Sequence, residues 1–279
     1  MWKTAAGSLS LEDPLVMGVL NLTPDSFFDG GALATVDDAL RRAETMVEAG
    51  AGMLDVGGES TRPGASPVPL EEERRRVLPF VREAVRHLDI PLSVDTRKAA
   101  VAADALEAGA AVINDVSGLA HDPDMAHIVA RAGAGVVLMH MRGEPADMQE
   151  RTAYADVRAD VARALGAAVE HACERGVPRE AIVVDPGIGF AKTARQSLAL
   201  LGDLGPLRAL GRPILVGPSR KSFIGHVTGA RPEQRLAGTI AACVMAYLEG
   251  ARIFRVHDVQ ETVQALQVAR AIGEGEEEG

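Results

Sequence analysis

Short apolar runs alternate with amphipathic stretches along the chain from residue 14 onward. Each apolar run leads into a polar loop and then into a helical pattern rich in Ala and Arg, an order typical of parallel strands joined by crossover helices. We predict strands at residues 15–20, 52–57, 91–96, 111–116, 135–140, 181–186, 213–218 and 251–256. The helical patterns between them include residues 36–50, 71–88, 97–109, 156–176 and 233–250.

Eight such units in a chain of 279 residues predict an α/β fold of the (β/α)8 TIM-barrel class rather than an open sheet. No linker rich in Pro, Ser or Gly divides the sequence, so we predict a single domain at residues 14–272. Residues 1–13 are an N-terminal extension in this interpretation. The acidic stretch GEGEEEG at residues 273–279 is predicted to be a disordered tail.

The formal net charge of -10 argues against nucleic acid or an anionic membrane as the main partner, although a local basic site can still bind a small anion. No apolar run approaches the roughly 20 residues that cross a bilayer. The first residues lack the basic and then apolar pattern of a secretory signal. Cys173 and Cys243 fall in predicted helices, away from other metal-type ligands, so we expect reduced, buried thiols in a cytoplasmic protein.

Reactive groups in such barrels lie at the C-terminal ends of the strands and in the loops that follow. These positions hold a concentration of candidate side chains: Asn21, Asp55, Glu59, Thr61, Arg62, Asp95, Asn114, Asp115, Met139, His140, Asp185, Lys221, Arg255 and His257. Any single Asp or Asn could merely cap a turn or a helix. Asp95, Asn114 and Asp185 all end strands around one mouth, however, and this favours a shared binding site.

The residue types indicate what such a site could bind. Carboxylates accept paired N–H donors, and an Asn side chain offers one donor and one acceptor. This combination suits a flat heterocycle with a guanidine-like edge and a neighbouring carbonyl, such as a pterin or guanine. Lys221 would donate to the ring, and Arg255 could stack on it or grip a phosphate. Lys221 could instead form a Schiff base, as in barrel aldolases.

Arg255 and His257 are two positions apart on a predicted strand and therefore point to the same side. With Arg62 and Asn21 they could form an anion and metal site, since a single oxygen ligand such as Asn21 suits Mg²⁺. Zinc is disfavoured because the seven histidines show no paired spacing. The stretch GPSRKS at residues 217–222 lacks the first glycine of a P-loop.

The loop after the first predicted strand carries two adjacent phenylalanines, Phe27 and Phe28, among turn-forming residues. We predict that this loop closes over the site as a lid, with Gly30 and Gly31 as its hinge. The alternative is that the pair packs beneath a static loop.

Ordered motifs along residues 14–265 resemble the dihydropteroate synthase family. They are MGVLNLTPDSFFDGG (17–31), DVGGESTRPGA (55–65), SVDT (93–96), INDVSG (113–118), LMHM (138–141), DPGIGF (185–190), VGPSRKSFIG (216–225) and RVHDV (255–259). The resemblance implies a transferase of folate biosynthesis that joins 6-hydroxymethyl-7,8-dihydropterin diphosphate to 4-aminobenzoate and releases pyrophosphate. It also implies Mg²⁺ as cofactor, a homodimer, and inhibition by sulfonamides that mimic aminobenzoate.

The resemblance further implies roles for individual residues. The catalytic set would be Asn21, Asp95, Asp185, Lys221, Arg255 and His257. The pterin would be held by Asp95, Asn114, Met139, Asp185, Phe190, Lys221 and Arg255. Aminobenzoate would meet Phe27, Thr61, Arg62, Pro63, Phe190 and Ser222. Pyrophosphate would meet Asn21, Arg62, Arg255 and His257, with Asn21 also binding the metal.

The sequence departs from the family pattern at a few positions. Ala191 stands where glycine is usual, and a positive φ there would strain an alanine. Gln196 and Ser197 replace a usual His-Asn pair, and Arg142 replaces a usual Gln.

Three other functions are alternatives to the one that this resemblance implies. A methyltetrahydrofolate-dependent methyltransferase domain shares the barrel and the acids, but it would not need the NLTPDSFFDGG and STRPGA loops. A non-catalytic pterin-binding homologue should lack some of the residues that are present here, namely Asn21, Arg62, Lys221, Arg255 and His257. A metal- or lysine-dependent aldolase is favoured only if the motif matches are coincidental.

Overall fold

The structure is a computed structural model that describes residues 1–23 and 35–275. In this part of the chain, two short strands precede the strands of a barrel. The strands are β1 (Trp2–Thr4), β2 (Gly7–Leu9), β3 (Leu15–Asn21), β4 (Met53–Gly57), β5 (Leu92–Asp95), β6 (Val112–Asp115), β7 (Gly135–Met139), β8 (Ile182–Asp185), β9 (Leu215–Val216) and β10 (Ile253–Val256).

The eight strands from β3 through β10 pair in parallel and form one sheet. The strand order in this sheet is β8-β7-β6-β5-β4-β3-β10-β9. A parallel bridge between Val184 of β8 and Ile214, just before β9, joins the two outer strands and closes the sheet. The N–H of Val184 also donates to the carbonyl of Pro213 at 3.0 Å. The predicted (β/α)8 barrel is confirmed.

Helices lie between the strands in the order that the hydrophobic pattern predicts. They are α1 (Val36–Glu48), α2 (Leu70–His87), α3 (Ala99–Glu107), α4 (Met125–Ala132), α5 (Val157–Glu174), α6 (Ala194–Leu201), α7 (Gly205–Arg208), α8 (Ser222–Thr228), α9 (Leu236–Leu248) and α10 (Val259–Glu274). Short 3-10 helices occupy Met148–Glu150, Arg179–Ala181 and Pro232–Gln234. The predicted helices correspond to α1, α2, α3, α5 and α9, with ends that differ by at most three residues.

The strand predicted at residues 213–218 is much shorter in the structure, where β9 covers Leu215–Val216. Pro213 and Pro218 flank it, and proline has no N–H to donate to a sheet. Hydrogen bonding therefore limits this strand even though its apolar pattern extends further. Its neighbour Ile214 still contributes the bridge that closes the barrel.

Two apolar layers position the site. Inside the barrel, a cluster that includes Met17, Met53, Val137 and Ile253 packs with Trp2 toward the N-terminal ends of the strands. A second cluster lies between the strands and the helices. Because parallel strands are covered on both faces, their near-continuous burial follows directly from the apolar runs in the sequence. The polar side chains are therefore confined to the strand ends.

The N-terminal extension closes the opposite end of the barrel. Strands β1 and β2 form an antiparallel hairpin, and the fully buried Trp2 donates from Nε1 to the carbonyl of Ala181 at 2.8 Å. The N–H of Ala5 donates to the carbonyl of Ala111 at 3.2 Å. Ala111 and Ala181 directly precede β6 and β8, so the hairpin covers the N-terminal ends of the strands.

The C-terminal helix α10 ends at Glu274, inside the segment predicted as a tail from residue 273, and residues 276–279 lie outside the described residues. Cys173 lies in α5 and Cys243 in α9, as predicted. Cys243 is buried, but Cys173 is partly exposed, so the expectation of two buried thiols is wrong for Cys173. None of the helices in residues 1–23 and 35–275 combines the length and the apolar character that crossing a bilayer requires.

Candidate active site

The C-terminal ends of the strands bring the predicted acids and amides to one rim. Asp95 ends β5 and is the register partner of Asn114 on β6. Met139 ends β7 and is the partner of Asp185, which ends β8. All four side chains are buried. The barrel therefore gathers residues that are far apart in the sequence at the mouth of one cavity.

Arg255 on β10 is the centre of this group. Its Nε donates to Oδ2 of Asp55 at 2.6 Å, and its Nη2 donates to Oδ2 of Asp95 at 3.0 Å. Asp55 is fully buried and also accepts from Nδ2 of Asn114 at 3.0 Å and from Oγ of Ser93 at 2.6 Å. The sequence placed Asp55 at the mouth but did not assign it to the site, and the structure shows that it anchors both Arg255 and Asn114.

The pKa values of this group reflect its burial. Burial raises the pKa of Asp95 above its ordinary value; Arg255 opposes this shift, and the charge of Asp55 adds to it. Burial also raises the pKa of Asp185, against the pull of Lys221. Conversely, burial lowers the pKa of Lys221 to about 8, although Asp185 favours its charged form. Three acids thus face two cations, which favours a ligand that donates N–H groups or carries positive charge.

Lys221 approaches the group from the loop after β9. Its ammonium donates to the carbonyl of Ile188 and lies 4.5 Å from the centroid of the Phe190 ring. In the β8 loop (residues 186–193), which carries Ile188 and Phe190, the N–H of Gly187 donates to Oδ1 of Asp185 at 2.7 Å. One carboxylate oxygen of Asp185 is thus used by the backbone, and the other is left for a ligand. The ammonium of Lys221 has three N–H donors, so two remain for a ligand beside the contact to Ile188.

The buried Lys192 connects the loop after β8 to His140 after β7, a role that the sequence did not predict. It is 3% exposed, and its Nζ donates to the carbonyls of Phe190 at 2.9 Å and His140 at 3.2 Å. Nδ1 of His140 lies 3.0 Å from the same atom. Burial, and then the charge of Lys192, lower the pKa of His140 to about 3, which keeps the imidazole neutral. Burial lowers the pKa of Lys192 itself to about 7.

The departures from the family pattern have structural explanations. Ala191 has a φ of 49°, so the expected left-handed conformation is present. The side chain of Gln196 completes a capping box with Thr193 at the start of α6. Oγ of Ser197 accepts from the N–H of Gly189 at 3.2 Å. The guanidinium of Arg142 lies 3.8 Å from the centroid of the Tyr154 ring; none of these contacts disturbs the mouth.

Cationic side chains surround His257 at the mouth. Arg62 lies in the β4 loop (residues 58–69), and His257 directly follows β10. Burial lowers the pKa of His257 to about 4, and the charges of Arg255, Arg220 and Arg62 lower it further. The Nδ1 of His257 lies 3.0 Å from Oγ of Ser219. Positive charge is therefore concentrated where an anionic group could bind.

The remaining predicted residues lie in the surrounding loops. Thr61 and Pro63 flank Arg62 in the β4 loop, and Ser222 is the first residue of α8, beside Lys221. Arg62 and Pro63 line an open cavity of about 410 Å³ at the rim. Phe27 and the predicted lid lie outside the described residues, so the lid stays a prediction.

Asn21 ends β3 next to the acids. A side chain on Gly57 would have its Cβ 3.7 Å from Oδ1 of Asn21 and 3.6 Å from Cβ of Asp95. The missing side chain of Gly57 therefore leaves this part of the mouth open. In residues 1–23 and 35–275, no three His, Cys, Asp or Glu side chains are grouped to hold a metal ion. A metal ion held at Asn21 would complete its shell with oxygens of water or of a substrate, as Mg²⁺ commonly does.

Comparison with known proteins matches the chain to one family. The family model described as "Pterin binding enzyme" matches residues 17–257. The dihydropteroate synthase of Synechocystis is 48% identical over 258 residues, which cover 92% of this chain and 89% of that protein.

Solved structures give the same result for the fold. A dihydropteroate synthase from Yersinia pestis, solved with a sulfonamide drug complex, superposes with a TM-score of 0.91 at 43% identity and covers 95% of this chain and 96% of that one. A dihydropteroate synthase from Burkholderia cenocepacia, complexed with 7,8-dihydropteroate, superposes with a TM-score of 0.88 at 45% identity and covers 98% and 96%.

The neutral histidines predict how stability depends on pH. The pKa of His140 is lowered to about 3 and that of His257 to about 4, whereas an unfolded histidine takes up its proton below about 6.5. Their contribution to folding is therefore present above about pH 6.5 and is lost as the pH falls toward these values. We expect the melting temperature of His140→Asn to fall less steeply between about pH 6.5 and 4 than that of the unmodified protein, because Asn keeps an acceptor for Lys192 without titrating.

Melting followed by circular dichroism across this pH range measures the effect. The matched control is His226→Asn, which replaces an exposed histidine on α8 and should keep the original slope. Equal slopes for the two variants would contradict the buried, neutral state of His140.

Proposed function

Because the chain belongs to the dihydropteroate synthase family of pterin-binding enzymes, we propose that it joins 6-hydroxymethyl-7,8-dihydropterin diphosphate to 4-aminobenzoate. The products of this transferase reaction are dihydropteroate and pyrophosphate. The observation that carries the proposal is the group of buried acids around Arg255 at one barrel mouth, with Arg62 and Arg220 close to His257 beside it. One part of the mouth thus suits the pterin, and the other suits the diphosphate.

The pterin side follows from the hydrogen-bond partners in the structure. The amide nitrogen of Asn114 is used by Asp55, so its oxygen remains to accept a ring N–H. Asp185 keeps one oxygen for the guanidine-like edge of the pterin, because Gly187 uses the other. Lys221 supplies a donor for the ring carbonyl. Met139 and Phe190 complete the apolar walls, and Arg255 stacks on the ring.

The reaction requires mainly electrostatic stabilisation. The bond between the pterin methylene carbon and the diphosphate oxygen breaks, and the electron pair leaves with pyrophosphate. The methylene cation is delocalised into the pterin ring, where Asp95 and Asp185 favour positive charge. The nitrogen of 4-aminobenzoate then forms the new bond to this carbon and releases a proton. An arylamine is neutral near pH 7, so no strong base is needed.

The departing pyrophosphate is placed against Arg62, Arg255 and His257. We assign Mg²⁺ to the same side, with Asn21 as a protein ligand. Bound there, the ion would neutralise charge on the leaving group. Asn21 fits this role because Mg²⁺ keeps several waters and takes further oxygen ligands from substrate phosphates.

Aminobenzoate is assigned to the loops around the mouth. Thr61, Arg62 and Pro63 of the β4 loop, with Ser222, would form its binding surface, and Phe190 would be shared with the pterin. The lid with Phe27 would exclude water from the cationic intermediate. Sulfonamides, one of which is bound in the Yersinia pestis structure, would compete for the same surface. A cytoplasmic location stays a prediction from the sequence.

A homodimer is part of the proposal. Helices α9 and α10 pack together and expose large apolar side chains to solvent, namely Met245, Leu248, Val268 and Ile272. Their exposed fractions range from 52% to 77%. Exposed apolar side chains on two packed helices are the kind of surface that a protein–protein interface covers. A second copy of the chain would cover it.

The proposed activity is tested by pyrophosphate release. We expect pyrophosphate when the pterin diphosphate, 4-aminobenzoate and Mg²⁺ are all present, and little when any one is omitted. A phosphate-coupled assay with single omissions measures this directly, and readdition of Mg²⁺ after chelation should restore the rate. Full activity in excess chelator would exclude the metal role, and no release with the complete mixture would exclude the proposed reaction.

Asp185→Asn tests the pterin site. The variant keeps the oxygen that accepts from Gly187 but turns the other acceptor into a donor that faces the ring N–H groups. We expect the Kd for the pterin to rise about ten- to a hundredfold, since a hydrogen bond to a charged group is lost. Calorimetry measures the change, with Asp203→Asn, whose side chain is 42% exposed between α6 and α7, as the matched control. An unchanged Kd would remove Asp185 from the pterin site.

The dimer is tested by sedimentation equilibrium. We expect twice the chain mass of 29.3 kDa for the unmodified protein. Val268→Asp places a charge in the apolar surface and should shift the protein to monomer. Val227→Asp, at a 62% exposed position on α8, is the control that should leave the mass unchanged. A monomeric unmodified protein at micromolar concentration would contradict the proposal.

A further inference from the structure

Charged side chains outside the pterin site form a linked set at the edge of the mouth. They are Glu59, Glu73, Arg97, Lys98 and Glu144. Glu59, Glu73 and Arg97 are almost completely buried. The set joins the β4 loop, helix α2, the connection between β5 and α3, and the β7 loop (residues 140–156). Because buried charges need partners, these contacts fix the relative positions of the four segments.

Arg97 divides its guanidinium between two carboxylates. Its Nη2 donates to Oε1 of Glu59 at 2.9 Å, and its Nη1 donates to Glu144. The side chain of Arg97 is 6% exposed, whereas that of Glu144 is 54% exposed. The donors of a guanidinium have a fixed planar geometry, so the two acids are held at a fixed separation. Arg97 thus ties a buried acid of the β4 loop to a surface acid of the β7 loop.

The same contacts hold the β4 loop at its end and at its middle. Oε2 of Glu59 accepts from the N–H of Val68 at 2.8 Å, which fixes the end of the loop that leads into α2. In the middle, the N–H of Gly64 donates to the carbonyl of Pro145 at 3.0 Å. Pro145 is buried and directly follows Glu144. Displacement of Glu144 would therefore also displace the acceptor that holds Gly64.

We propose that Arg97 is a positioning residue for the second substrate. By holding Glu59 and Glu144 together, it keeps residues 61–63 of the β4 loop in the conformation that binds aminobenzoate. The inference rests on the proposed function, which assigns this loop to aminobenzoate. The pterin ring is anchored separately through Arg255 on the strand ends, so a loosened β4 loop leaves binding of the ring itself unchanged, whereas the diphosphate, which is assigned in part to Arg62 of this loop, is held less firmly.

Glu144→Gln is the principal test, because the side chain is half exposed and its charge can be removed without opening the interior. We expect the KM for aminobenzoate to rise about two- to fivefold, the range for loss of a partly exposed ion pair. The Kd of 6-hydroxymethyl-7,8-dihydropterin, which lacks the diphosphate assigned to Arg62, should stay as in the unmodified protein. Glu150→Gln removes the same charge from an exposed position on the β7 loop and should change neither constant.

A double-mutant cycle shows whether the effect passes through Arg97. Arg97→Met should raise the KM for aminobenzoate, and adding Glu144→Gln to it should have no further effect if the two residues act as a pair. Arg97→Lys keeps the charge and should recover part of the affinity. If Arg97→Met does not fold, the comparison of Glu144→Gln with Glu150→Gln still decides the question.

Hydrogen exchange gives a readout that does not need catalysis. In Glu144→Gln the amides of Gly64 and Val68 should exchange faster, while those in the centre of α5 should keep their rates. Unchanged loop exchange, a KM equal to that of Glu150→Gln, or an equal rise in pterin Kd would overturn the inference. Absence of pyrophosphate formation by the unmodified protein would overturn the proposed function instead, and the exchange rates would still decide whether Glu144 holds the loop.

Discussion

The mouth of this barrel depends on the placement of one guanidinium between two buried carboxylates. Arg255 cannot lose its proton, so it supplies a permanent positive charge to Asp55 and Asp95. Without it, two acids on neighbouring strands would face each other in a poorly solvated space, at a cost that burial makes large. Arg255 thus allows two buried carboxylates to lie close together at the strand ends.

The rest of the site is arranged around that charge. The acceptors are Asp95, Asn114 and Asp185, and the charges of Arg62, Arg220 and Arg255 act on His257 at the same mouth. The presence of both suits a reaction in which a cation and an anion form from one substrate, because each product meets charge of the opposite sign. The barrel holds these charged and hydrogen-bonding side chains in place before the substrate binds. The side chains therefore need to move little during the reaction.

The sequence predicted the barrel, and with it the gathering of Asp95, Asn114 and Asp185, because parallel strands bring their C-terminal ends together. It also indicated the backbone strain at Ala191. It did not reveal that Asp55 anchors the site, that Lys192 supports a loop from behind, or that Arg97 joins two loops. These roles depend on contacts between segments far apart in the chain, and a lone Lys or Arg in a sequence gives no sign of its partner.

The shortness of β9 has a mechanical consequence. The bridge between Val184 and Ile214 is a narrow seam compared with the ladders elsewhere in the sheet. Asp185 and Lys221 stand on opposite sides of this seam. A substrate bound by both residues would link β8 to β9 across this short bridge. Substrate binding would therefore also strengthen the closure of the barrel.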